Sequence, residues 1–145
     1  MKNDYGIAIK WYRKEMWYYT HHLKFLARIK FRLMQILLGC TIPPSVVIGD
    51  KCTIAHFHGI VIHHETVIGR GTFLYQNVTL GGRNGKPGPI IGDNCIIGAG
   101  ACVLGNIRIG NNVKIGANAV VLQDVPDNCT VVGVPGKIIK RGQLC

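Results

Sequence analysis

Four histidines fall within nine residues of this 145-residue chain, at His56, His58, His63 and His64. Imidazole titrates near neutrality, so histidine is the natural side chain to take a proton from a hydroxyl and return it to a leaving group. Histidines this close together also raise the question of a metal centre. His56 and His58 fall on one side of a strand and lack a third ligand, so no metal is expected. No serine or cysteine stands in an evident triad, which favours direct attack by an acceptor hydroxyl over a covalent enzyme intermediate. What such a base would do depends on the elements that hold it.

The spacing of aliphatic residues defines those elements. They stand at Ile48, Ile54 and Ile60, slip by two to Ile62, and continue at Ile68, Leu74 and Leu80. After a glycine-rich interruption, GGRNGKPGPI at 81–90, they return at Ile91, Ile97, Val103, Ile109, Ile115 and Val121. A period of six suits neither an alternating strand nor a helix of about 3.6 residues per turn. It suits a parallel β-helix with three short faces and about eighteen residues per coil. Nineteen glycines, many just after the aliphatic position, let the chain turn its corners. The count predicts an all-β fold of about four to five coils over residues 41–145. The segment 81–90 would be a protruding loop, and GVPGKIIK (133–140) a cap on an end that must be covered.

The period also predicts vertical columns. Ile54 should lie below Leu74, then Ile97, then Ile115, provided both insertions bulge outward. Two places on from each stand His56, Gln76, Ala99 and Ala117. Such a column has a reactive end and a smooth alanine groove. A narrow pantetheine arm could lie along the alanines and offer a thioester near His56. The Gly81–Gly82 loop could supply N–H donors to the tetrahedral oxyanion.

The runs HFHGIVIHHETVIG (56–69), VTLGG (78–82), IIGAGACVLGNIRIGNNVKIGANAVVL (96–122) and VPDNCTVVGVPGKII (125–139) resemble the serine acetyltransferase branch of the hexapeptide acyltransferases. The resemblance covers about residues 41–140. It implies a left-handed parallel β-helix, a homotrimer with active sites between subunits, and acetyl-CoA as donor. By position His56 matches the catalytic histidine of that branch. Gly82, Ala99 and Ala117 match positions lining its CoA groove, and Lys114 and Lys137 lie in segments where a base meets CoA phosphates.

Three departures bear on the acceptor. Ala55 stands where serine acetyltransferases carry an aspartate, Gly88 precedes Pro89 where they carry a histidine, and Thr41 falls near another acidic position. His58, Gln76, Arg83 and Lys86 remain as candidate acceptor or orienting residues. The pattern looks more like the short O-acetyltransferases of surface polysaccharides. The leading expectation is therefore acetyl transfer to a sugar hydroxyl of a capsule or surface glycan. Serine is the alternative acceptor. A zinc lyase of the β-helical carbonic anhydrase type and a non-catalytic trimer are the readings from other classes.

Residues 1–40 differ in kind. They hold eight Lys/Arg against Asp4 and Glu15, out of a whole-chain net charge of +10, and are dense in Trp and Tyr. From Leu23 the apolar residues recur at helical spacing until Gly39 and Pro43-Pro44, predicting a basic amphipathic helical arm. Such an arm suits the inner face of a membrane, or packs its apolar face under the main domain or a sister subunit. No nucleic-acid motif accompanies the charge, so no nucleic acid is expected. Six cysteines without a CxxC pair, no apolar leader and no membrane-length apolar run point to a reducing cytoplasm.

Overall fold

The structure, a computed structural model, describes residues 6–140. Cys145 and the extreme ends of the arm and cap lie outside them. Two helices come first, α1 (Gly6–Thr20) and α2 (Lys24–Leu38). Thirteen short strands then wind in sequence: β1 (Val47–Ile48), β2 (Thr53–Ile54), β3 (Val61–Ile62), β4 (Val67–Ile68), β5 (Phe73–Leu74), β6 (Thr79–Gly81), β7 (Ile90–Ile91), β8 (Ile96–Ile97), β9 (Cys102–Leu104), β10 (Arg108–Ile109), β11 (Lys114–Ile115), β12 (Val120–Val121) and β13 (Cys129–Val132). A last strand, β14 (Lys137–Lys140), turns back antiparallel onto β13.

From β1 to β12 every third strand stacks on the one a coil below, and β13 continues the stack on β11, always parallel. Face one is β1-β4-β7-β10, face two is β2-β5-β8-β11-β13, and face three is β3-β6-β9-β12. The result is a left-handed β-helix of about four turns with N-terminal helices. Ile54 pairs with Leu74, Leu74 with Ile97, and Ile97 with Ile115, as the six-residue period predicts. These aliphatic side chains, with Ile48, Ile62, Ile68, Leu80, Ile91, Val103, Ile109 and Val121, fill the interior.

The corners follow a rule the period alone does not reveal. At one edge Lys51, Gly71, Asn94, Asn112 and Asn128 stack in successive coils, all with φ between 54° and 66°. At another, Gly59, Asn77, Gly100 and Asn118 stack likewise, with φ between 57° and 71°. Asn tolerates the left-handed region better than other non-glycine residues. A Cβ at Gly59 would lie 2.0 Å from Asn77 Oδ1, so any side chain there would displace the Asn77 amide. The thiols of Cys52 and Cys95 serve the same architecture, donating to the carbonyls of Gly69 and Gly110 at 2.9 and 3.1 Å.

Placement of the two-residue slip needs correction. The spacing reads Ile60 as a period position with the slip after it. In the structure Ile60 sits where Val78 sits one coil above, both fully buried. The extra residues come earlier, because Ile54 pairs with Leu74, twenty positions on, whereas Val61 pairs with Thr79, eighteen on. They are therefore expelled at 55–58, the segment holding His56 and His58. The second insertion is where the glycine run implies: Ile68 pairs with Ile91, and the loop between β6 and β7 stands out from the stack.

The arm holds two helices rather than one. Ala8, Ile9 and Tyr12 of α1 and Met34 and Leu38 of α2 join the core cluster of the β-helix and cover its first coil. Arg13 donates to the carbonyls of Ile48 and Gly49 at 2.8 and 2.7 Å, and the Tyr12 hydroxyl donates to Val46 O. These bonds satisfy acceptors at the open end of the stack. The opposite face of α2 exposes Phe25, Leu26, Ile29, Leu33, Ile36 and Leu37, beside Lys24, Arg28 and Arg32. No helix among the described residues is long and apolar enough to cross a membrane.

Glu15 is buried under this cap, and neither carboxylate oxygen has a hydrogen-bond partner. Burial pushes its pKa up to about 8, with Lys30 opposing the shift. Its other ionisable neighbours are Tyr12 and Cys40, which its charge also pushes up. The folded chain therefore holds this proton more tightly than the unfolded chain. That contribution is full below the unfolded value near 4.5 and is lost as pH rises through about 8. Glu15→Gln should be near neutral at pH 5 and increasingly stabilising up to pH 9, by on the order of a few kcal/mol. Urea denaturation at both pH values checks it. A pH-independent difference would contradict the assignment.

Candidate active site

The expelled segment 55–58 lies at the corner between faces two and three. Both His56 and His58 are exposed there. Phe57 packs partly against the core and stacks on His58, their ring centroids 4.5 Å apart. The His58 ring also approaches the C-cap of α2, since a Cβ on Gly39 would lie 3.8 Å from its Cδ2. The helix end, through Gly39 O accepting from Gly59 N at 2.9 Å, thus pins the far side of the bulge.

Above the bulge the column forms. Gly100 N donates to Gln76 O and Asn118 N to Ala99 O, both at 2.9 Å, so Gln76, Ala99 and Ala117 occupy equivalent places in successive coils. The same ladder runs from Asn77 N to His58 O. Counting from Ile54 puts His56 under Gln76, whereas the corner ladder puts His58 there. The expectation that His56 alone ends the column is corrected in this respect: two residues more than the coil can hold leave both histidines at the foot. Gln76 Oε1 is buried without a partner beside them. Ala99 is half-buried and Ala117 exposed, so the edge above is smooth and open. Lys114 and Lys137 stand exposed on the upper strands of face two, on β11 and β14.

The remaining sequence-predicted residues are elsewhere in the single chain. Gly82, Arg83 and Lys86 belong to the loop after β6, at the corner between faces three and one. Face three lies between them and His56, because His56 precedes that face and Gly82 follows it. His63 and His64 share the loop's corner, not that of His56 and His58. The ligand atoms of His63, His64 and Glu65 lie within 4.8 Å of one another. The grouping of all four histidines suggested by the sequence is thus split into two pairs on two edges. A shallow depression of about 420 Å³ along face one holds no histidine.

A left-handed β-helix of six-residue steps, with a histidine-bearing bulge at the foot of an alanine edge, defines a class of acyl-transfer scaffold. Residues 88–123 match the family described as bacterial transferase hexapeptide (six repeats). The chain belongs to the hexapeptide-repeat acyltransferase family. It is 44% identical over 137 residues to a serine acetyltransferase of Synechococcus elongatus, covering 92% of this chain and 56% of the relative. Its fold matches the crystal structure of Neisseria gonorrhoeae serine acetyltransferase in complex with serine at a TM-score of 0.86 and 40% identity, over 91% of this chain and 55% of that one. A serine acetyltransferase structure in complex with CoA matches at 0.84 and 37% identity, over 91% and 55%. The chain therefore spans a little over half the length of these relatives.

One residue that the column reasoning passed over is Gly88, at the loop's base. A Cβ there would lie 2.3 Å from Thr66 Oγ1 and 3.0 Å from His63 Cβ. Gly82 is held as closely, with a Cβ meeting Lys86 O at 2.5 Å. Gly82→Ala should force the loop outward and destabilise the chain by about 1–3 kcal/mol. Thermal denaturation checks it, and an unchanged melting temperature would show the loop to be loosely seated.

Proposed function

We propose that this chain transfers an acetyl group from acetyl-CoA to an acceptor hydroxyl, with serine as the favoured acceptor. The observation that carries the reading is the open alanine edge of Ala99 and Ala117 rising from a two-histidine foot, on a chain 40% identical to a transferase solved with serine. His56 is the general base. It removes the hydroxyl proton as the oxygen attacks the thioester carbonyl, and the imidazolium returns that proton to the departing CoA thiolate. The pantetheine arm follows Ala99 and Ala117, and Lys114 and Lys137 face the phosphates. Gln76 and His58 orient the base or the acceptor at the foot of the column. No metal takes part in this scheme.

Serine replaces a glycan as the favoured acceptor, because the relatives are named for serine. The glycan reading keeps one specific observation, Ala55, which leaves no acid beside His56 to hold an ammonium group. The same geometry supports a homotrimer as the assembly. The loop with Gly82 stands at one edge of face three and the histidines at the other, so a threefold arrangement would bring one copy's loop to its neighbour's histidines. Contact between the arm and an anionic membrane surface would use the outer face of α2, where apolar side chains border a basic stripe.

Acetyl-CoA turnover with L-serine should fall about 10²–10⁴-fold in His56→Ala, with the melting temperature unchanged. The same loss in His58→Ala and not in His56→Ala would transfer the base to the other histidine. Full activity in both would overturn the mechanism. Replacing Ala117 by Trp should raise the KM for acetyl-CoA about tenfold or more while sparing the KM for serine. An unchanged KM for acetyl-CoA would place the donor elsewhere.

A further inference from the structure

One face of α2 is seated and the other is bare. Ala27, Met34 and Leu38 are buried, the last two in the core cluster, so the helix is held against turning about its axis. Phe25, Leu26, Ile29, Leu33, Ile36 and Leu37 project on the other side, and Phe25 and Ile36 are 74% and 76% exposed. At about 100° per residue these six cover roughly a third of the helix circumference, with no polar residue among them. Cations stand at both borders of this apolar arc. Lys24, Arg28 and Arg32 run along one border, all exposed. Lys30 stands at the other, its ammonium 4.5 Å over the Trp11 ring.

Charge decides what can cover the arc. Glu15 is the single acid among residues 6–40, against seven Lys/Arg, and it is buried. Among the described residues no carboxylate pairs with Lys24, Arg28 or Arg32. The α2 of a second copy would bring the same cations and no acid to meet them. A layer of phosphates meets the whole stripe at once, and the acyl chains beneath receive the apolar arc. Tyr19, near the end of α1, lines a cavity of about 250 Å³ together with Lys24 and Arg28. Tyrosine combines an apolar ring with a polar tip and settles at the headgroup level. No described helix is long and apolar enough to cross a membrane, so a helix of this kind lies in the surface plane.

We propose that α2 lies in the plane of an anionic phospholipid surface, its apolar arc among the acyl chains and Lys24, Arg28 and Arg32 on the lipid phosphates. Long basic side chains at the border keep their charged heads in the headgroup layer while their stems cover the apolar flank. Each basic residue held near such a surface strengthens binding by about fivefold, and salt weakens that part. This placement rests on the membrane contact of the arm and is independent of the chemistry at His56.

The test is co-sedimentation of the whole chain with vesicles of phosphatidylcholine alone and of phosphatidylcholine with phosphatidylglycerol. The proteins are the wild type, Arg28→Gln/Arg32→Gln and Phe25→Ser/Ile36→Ser. All four side chains are exposed, so both variants should melt with the wild type when no lipid is present. The wild type should bind the mixed vesicles about tenfold or more tighter than phosphatidylcholine alone, and Arg28→Gln/Arg32→Gln should lose that preference. Phe25→Ser/Ile36→Ser should bind the mixed vesicles about tenfold or more weakly at unchanged charge. Wild-type binding that ignores phosphatidylglycerol, or no binding to either vesicle, overturns the placement. Undiminished binding by Phe25→Ser/Ile36→Ser would mean adsorption by charge alone and overturns the insertion. A larger assembly of the wild type than of Phe25→Ser/Ile36→Ser in sedimentation velocity without lipid would give the arc to a second copy and overturn the membrane surface. Vesicle binding by a chain that turns over no acetyl-CoA would sink the acetyl-transfer reading and leave the surface standing. Turnover by a chain that stays off both vesicles would do the reverse.

Discussion

Each coil of this β-helix must hydrogen-bond, residue for residue, to the coil above and the coil below. The strands are only two to four residues long, too short to hold register by themselves. Register comes from the whole circuit, in which aliphatic side chains meet inside and left-handed corners repeat at fixed places. A residue that does not fit the circuit cannot be absorbed by sliding a strand, because that would move its inward side chain to the surface. It can only be expelled at a corner. The shape of the molecule outside the regular stack is therefore set by where extra residues occur.

Two such places exist in the stack, and each carries reactive side chains. The first expels 55–58 and leaves His56 and His58 in an exposed bulge. The second expels the loop after β6 and presents Arg83 and Lys86 on a tight hairpin. The coils between them supply positions and little chemistry: small residues at the edges, aliphatics inside, and lysines on the outer strands. The two insertions sit at opposite edges of face three because one precedes that face and the other follows it.

The interior was legible because packing enforces it. Ile54, Leu74, Ile97 and Ile115 had to be aliphatic and evenly spaced, so counting found their true partners. The slip was misplaced because Ile60 is buried, and an aliphatic spacer two places before a period position looks like the period position itself. The Asn and Gly corner stacks carry a signal that was overlooked. One stack alternates Gly59, Asn77, Gly100 and Asn118, and the other runs Gly71, Asn94, Asn112 and Asn128 after Lys51, so all but one of these corners hold the two residue types that accept positive φ most readily. The first helix was not legible as a helix, since its buried Ala8, Ile9, Tyr12 and Glu15 do not stand out from an aromatic-rich background. The contribution of Arg13 could not be read at all, because the carbonyls it caps are thirty-five residues away in sequence. The separation of His56 from Gly82 was, by contrast, derivable: once the three faces are assigned, the corner each residue occupies follows from counting.

The same constraint bears on how acceptor choice could differ among chains with this stack. A substitution inside a coil must satisfy the neighbours above and below, so it meets a packing cost before it can serve a ligand. Exposed residues of the bulge and of the loop after β6, such as His56 and Arg83, face less of that test, because their side chains lie outside the stack. The length and composition of two short segments can then change while the alanine edge of Ala99 and Ala117 stays as the ladder requires. Ala55 fits this account. It stands at the first place after β2, where the ladder still holds, because its N–H donates to Leu74 O at 3.0 Å. A side chain at that position is anchored by the coil yet borders the free bulge. An acid there would be held rigidly beside His56, and its replacement by alanine removes a fixed charge without disturbing the register.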